Sequence, residues 1–101
     1  MMTQISTNDL ELTKHLVTQC LRDQPVQIWL FGSRAWGGSR RSSDIDVGIL
    51  PLSPLYPGCL TDLQEELDRS AVLPRVELFD LTSVDAALRD KVIQQGIAWR
   101  T

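Results

Sequence analysis

A Gly-Ser pair at Gly32-Ser33 and an Asp-x-Asp at Asp44 and Asp46, each flanked by an apolar run, constrain this chain most. Ile28-Trp29-Leu30-Phe31 precedes the glycine, and Val47-Gly48-Ile49-Leu50 follows the second aspartate. Short apolar runs bounded by turn residues read as strands. Residues i and i+2 of a strand share a face, so a strand from Asp44 to Leu50 stands both carboxylates side by side. Adjacent carboxylates repel, and a divalent cation offsets the repulsion. Oxygen-only donors suit Mg²⁺ or Mn²⁺, with further ligands from water and substrate phosphates. The Gly-Ser turn can offer backbone N–H groups and a hydroxyl to such phosphates.

Composition narrows the partners. The chain has 101 residues, enough for one domain, here taken as 1–101 with no dividing linker. A hydrophobic fraction of 43% supports a modest core. The net charge of −3 argues against a strong nucleic-acid binder, which shows a basic footprint. Arg34, Arg40 and Arg41 nevertheless make the loop between Gly32 and Asp44 locally basic, which suits a nucleoside triphosphate better than a long polymer. Cys20 and Cys59 lie far apart in sequence and read as free thiols. No signal peptide precedes the first helix and no apolar run approaches the roughly 20 residues of a membrane span, so a reducing cytoplasm is expected. The lone His15 has no nucleophile beside it, and no Walker A sequence is present; a catalytic triad and a P-loop NTPase are both excluded.

Apolar spacing predicts a helix over 8–22, with Leu12, Leu16 and Cys20 every four residues, Asn8 or Thr7 as cap, and Asp9 and Glu11 near its positive end. Strands follow at Gln27 to Phe31 and Asp44 to Leu50. Pro51, Pro54, Pro57 and Gly58 make 51–59 a loop. A helix over Leu60 to Arg69 has Thr61-x-x-Gln64 as a capping box. A third strand runs from Arg75 to Leu81. A last helix, capped by Thr82 or Ser83 and facing Val84, Ala87, Leu88 and Val92 inward, ends near Gln95 before Gly96 as its C′ residue. Ile97-Ala98-Trp99 adds a short edge strand. The class is α/β (α+β): a small mixed β-sheet with helices packed on one face.

Gly32, Ser33, Arg34, Ala35, Gly37, Arg40, Ser43, Asp44, Ile45 and Asp46 together resemble the signature of minimal nucleotidyltransferases, the smallest members of the DNA polymerase β-like superfamily. Trp36 departs from it, since Arg is common there. The resemblance implies the nucleotidyltransferase fold. It also implies transfer of a nucleoside monophosphate, most simply AMP from ATP, with Mg²⁺ or Mn²⁺ as cofactor. Asp44 and Asp46 would bind the metals, and Gly32, Ser33, Arg34, Arg40 and Ser43 the nucleotide. Two-metal chemistry needs a third acid. The strand at 75–81 offers Glu77 and Asp80, which alternation turns to opposite faces. Family members often read V-D-x-x-D there with the first acid as ligand. Glu77 takes that place, one methylene longer, and is favoured over Asp80.

Such proteins often pair with small helical HEPN-type proteins as toxin–antitoxin systems, the nucleotidyltransferase being the antitoxin. A homodimer or hetero-oligomer is therefore expected, with the acceptor hydroxyl on the partner. Leu52, Leu55 and Tyr56 of the Pro-rich loop, with Trp36, are candidate anchors. The alternative is a non-catalytic binding subunit with a degenerate site, favoured by Glu77 and Trp36 being off-pattern. Taken alone, Gly32-Ser33 is also an ordinary turn, and Arg41 ordinary surface charge.

Overall fold

The computed structural model describes residues 4–32, 45–70 and 75–101. Among the described residues seven elements follow one another: α1 (Gln4–Cys20), β1 (Val26–Phe31), β2 (Ile45–Pro51), α2 (Cys59–Arg69), β3 (Val76–Asp80), α3 (Ala86–Gln95) and β4 (Ile97–Arg100). The sheet order is β3-β2-β1-β4, with β2–β3 parallel and both β1 pairings antiparallel. The sheet is mixed, as expected. The parallel pair needs a crossover, and α2 supplies it. Among the described residues no helix is long and apolar enough to cross a membrane.

β1 is central, which accounts for its unbroken apolar run. Ile28 and Leu30 join one buried cluster with Val17 and Leu21 of α1 and with Leu63 and Leu67 of α2. Trp29 and Phe31, on the other face, join Leu81 and Val92, with Leu88 packed against them. A strand covered on both sides cannot alternate apolar with polar. The expectation that all helices lie on one face therefore holds for α1 and α2 only. α3 lies on the opposite face, because Trp29 and Phe31 also had to leave water.

Local signals were misread where tertiary contacts compete with them. The Thr61–Gln64 capping box does not form. The residue before α2 is Gly58, with no side-chain cap bond, and the Gln64 amide turns to the β3 backbone instead. α3 is capped by Asp85, whose Oδ1 accepts from Leu88 N–H at 2.8 Å; Thr82 donates N–H and Oγ1–H to Asp80 Oδ1, and this turn delays the helix. Ala87 is exposed rather than inward. α1 starts a turn earlier than expected, so Asp9 lies inside it, buried, and its Oδ2 has no hydrogen-bond partner among the described residues. Arg100 donates to the carbonyls of Leu21 (2.7 Å) and Gln24 (2.9 Å), tying β4 to the C-terminal end of α1, where a cation complements the helix dipole.

Gly96 follows α3 as expected, but for a different reason. Its φ of −73° is open to any residue. A Cβ there would lie 2.5 Å from the Val92 carbonyl oxygen and 2.9 Å from that of Leu30. Both are backbone atoms of packed elements and cannot rotate away. Gly96→Ala is expected to destabilise the fold by about 2 kcal/mol. Urea denaturation checks it, and an unchanged midpoint would show that α3 and β1 separate freely.

Candidate active site

Gly32 ends β1 in the left-handed region, with φ +81°. An L side chain there is strained, and this glycine has a second reason. The space a Cβ would fill is taken by the carboxylate of Asp46, Oδ2 being its nearest atom. Asp46 lies second in β2, opposite Phe31 of β1 on one side and Glu77 of β3 on the other. Register partners on neighbouring strands point to the same face about 4.8 Å apart. Asp46 and Glu77 therefore stand next to each other, both half-buried.

The ground beside this pair is apolar. Phe31 and Phe79 meet edge to face with ring centroids 5.1 Å apart. They belong to strands on either side of β2. Gly48 of β2 is the register partner of Trp29 on one side and Phe79 on the other, and its missing side chain leaves room for Leu81, the Leu81 Cδ1 atom being 3.0 Å from where a Cβ would be. Acids against such a cluster are partly shielded from water, so a cation or a donor near them interacts more strongly than at an open surface. Neither Gly48 nor the ring pair was recognised from sequence. A glycine inside an apolar strand run was the available signal.

Asp80 takes the other course. Its register partner is Ile49, on the α1–α2 face. Its Oδ1 is occupied by Thr82, at 2.9 Å from N and 2.6 Å from Oγ1. Ser33, Arg34, Trp36, Arg40, Ser43 and Asp44 lie outside the described residues. Among the described residues no three His, Cys, Asp or Glu side chains form a metal-binding group. The pair that is described has the right donor chemistry for Mg²⁺ or Mn²⁺, two adjacent carboxylates with glycine clearing the space beside one of them.

The 51–59 loop lies elsewhere. Leu52 and Tyr56 are exposed, at 63% and 51%. With Pro54, Thr61, Asp80 and Thr82 they line a cleft of about 480 Å³. That cleft is at the C-terminal ends of β2 and β3, whereas Asp46 and Glu77 are at the starts of the same strands. The separation is about 15 Å along the strands. A partner anchored on this loop has to extend along the sheet to reach the acids. His15 is exposed on α1. Cys20 and Cys59 are free thiols that line one small pocket with Tyr56 and Glu66. Partial burial, then the Glu66 and Cys59 charges, push the Cys20 thiol up, which keeps it a poor nucleophile near neutral pH.

The sequence profile of the family described as "Polymerase beta, Nucleotidyltransferase" matches residues 11–98. A protein adenylyltransferase MntA of Shewanella oneidensis is 34% identical over 89 residues, which is 85% of this chain and 63% of that protein. This chain thus spans less than two thirds of that relative's length. A solved toxin–antitoxin structure with AMP-PNP superposes with a TM-score of 0.67 at 32% identity, over 85% of this chain and 71% of the other. A complex of tri-AMPylated Shewanella oneidensis HEPN toxin with MNT antitoxin gives a TM-score of 0.62 at 29% identity, over 88% and 70%. With the strand order, the glycine turn and the paired acids already in view, these matches mean that the chain belongs to the polymerase beta nucleotidyltransferase family.

Proposed function

We propose that this chain, folded as one domain, transfers AMP from ATP to a hydroxyl group on a small helical HEPN-type protein, acting as the antitoxin of a toxin–antitoxin pair. The observation that carries the reading is the Asp46–Glu77 register pair with Gly32 clearing the space beside it. The Shewanella relative's name and the AMPylated HEPN complex support the choice of AMP and of acceptor.

Asp44, Asp46 and Glu77 would hold Mg²⁺ or Mn²⁺. Gly32 and Ser33 bind the triphosphate through the turn amides and the hydroxyl, and Arg34, Arg40 and Ser43 contribute charge and hydrogen bonds to it. Bound metal would neutralise phosphate charge and make the acceptor hydroxyl a better nucleophile. Glu77, half-buried and next to Asp46, also accepts the acceptor's proton. The hydroxyl oxygen bonds to the α-phosphorus, the bond to the bridging oxygen breaks, and pyrophosphate leaves. Little covalent work falls to the protein, so the effect comes from positioning and charge.

Co-expression with a HEPN-type protein, followed by size exclusion and intact mass spectrometry, tests this. The partner is expected to gain the mass of one or more AMP groups, and not with Asp46→Asn. A stable complex without added mass would favour the non-catalytic binding subunit instead.

The two acids of β3 should separate cleanly. Glu77→Gln is expected to lower transfer by about 10²-fold or more. Asp80→Asn should leave transfer within about twofold and lower stability by no more than about 1 kcal/mol, since the amide oxygen still accepts both bonds from Thr82 but without the carboxylate charge that strengthens them. Equal rates for Glu77→Gln and wild type would remove Glu77 from the mechanism.

A further inference from the structure

Glu77 is on an edge strand. Among the described residues β3 has a neighbour, β2, on one side only. The outward N–H and C=O groups of an edge strand usually face water, and the strand is held less firmly than a central one. Around Glu77 the outward groups are both taken by one side chain. Gln64 of α2 donates from Nε2 to the Val76 carbonyl at 2.7 Å and accepts at Oε1 from Leu78 N–H at 3.3 Å. The Val76 carbonyl belongs to the peptide unit before Glu77, and the Leu78 N–H to the unit after it. Both peptides that carry the Glu77 Cα are thus held by a single planar amide. On the inner side the register with Asp46 holds the same residue.

The amide is itself oriented. Its Nε2 also donates to Asp68 Oδ1 at 3.1 Å, one helical turn on. An ionised carboxylate only accepts, so this contact fixes which end of the Gln64 amide faces Val76 and which faces Leu78. Asp46, on a central strand, is held by ladders on both sides. We propose that Gln64 is a positioning residue that sets the Glu77 carboxylate against Asp46, so that metal binding and transfer depend on a side chain that touches neither metal nor substrate. The inference rests on the function proposed above for Glu77.

Gln64→Leu removes both bonds at similar volume. Gln64→Glu keeps the acceptor for Leu78 and loses the donor to Val76, and it serves where the leucine variant folds poorly. Three readouts apply to each: amide exchange at Leu78, the Mn²⁺ titration midpoint, and AMP transfer. Leu78 exchange should rise in Gln64→Leu. In both variants the Mn²⁺ midpoint should move up by about tenfold, and kcat fall by about tenfold with KM for ATP within about twofold. On a Glu77→Gln background the change at 64 should cause no further loss of transfer, since the two act through one carboxylate.

An unshifted Mn²⁺ midpoint in both Gln64 variants, or losses that add in full on the Glu77→Gln background, would overturn the proposal. A wild type that binds Mn²⁺ but transfers nothing would sink the proposed function, and the Mn²⁺ midpoint would still decide the role of Gln64. A wild type that binds no Mn²⁺ would overturn both.

Discussion

Asp46→Asn is expected to reduce AMP transfer by about 10³-fold, several kcal/mol of transition-state stabilisation. Asparagine has nearly the same shape, so the contact with Gly32 and the register with Phe31 and Glu77 can persist. What is lost is charge at the position where two acids stand on neighbouring strands of one face. Folding should change by no more than about 1 kcal/mol. Mg²⁺ or Mn²⁺ with ATP should raise the melting temperature of the wild type by mass action, and Asp44→Asn with Asp46→Asn should abolish that rise. A variant that melts like the wild type, shows no response to metal and nucleotide, and transfers no AMP is the expected combination. A full thermal response in the double variant would put the metal site elsewhere.

Gly32→Ala carries the second large effect, and it acts on stability and activity together. A non-glycine residue in the left-handed region costs about 1–2 kcal/mol. The new Cβ would also overlap the Asp46 carboxylate, which can escape only by turning away from its place beside Glu77. Displacing a reacting group by about 1 Å can cost about 10²-fold in rate. Gly58 provides the control. Its φ is +84°, almost the same, but no described residue lies within 4 Å of the Cβ position. Gly58→Ala should show the backbone cost alone, about 1 kcal/mol, with transfer unchanged. Comparing the two variants by denaturation and by kcat separates strain from the collision with Asp46. Equal kcat losses in both would mean that the Asp46 contact has no bearing on the chemistry.

Much of the arrangement was legible because it is carried by spacing. Alternation alone turned Glu77 and Asp80 to opposite faces, and the strand register does the same. The apolar run at β1 marked a strand, and its double-sided burial was written in Trp29 and Phe31 as well as in Ile28 and Leu30. What misled was reading each helix for its own ends. Thr61-x-x-Gln64 is a sound capping pattern in isolation. In the folded chain the Gln64 amide bonds to an edge strand 12–14 residues away, and no helix-local rule registers that competitor. Thr82 and Ser83 were equally reasonable caps until Asp80 took Thr82 into a turn of its own.

The amino-acid sequence by itself determined the element order, the strand that bears Asp46, and the family. Each follows from residue types at fixed separations, and local stereochemistry turns such separations into geometry. Only the tertiary structure decided that Asp46 and Glu77 are direct register partners. It also decided that α3 covers the second face, that Gly32 yields its side-chain space to a carboxylate, and that Gln64 holds the strand of Glu77. These are encounters between segments distant in sequence. They depend on how closed loops bring surfaces together and on which buried groups then find partners, and one-dimensional spacing carries neither.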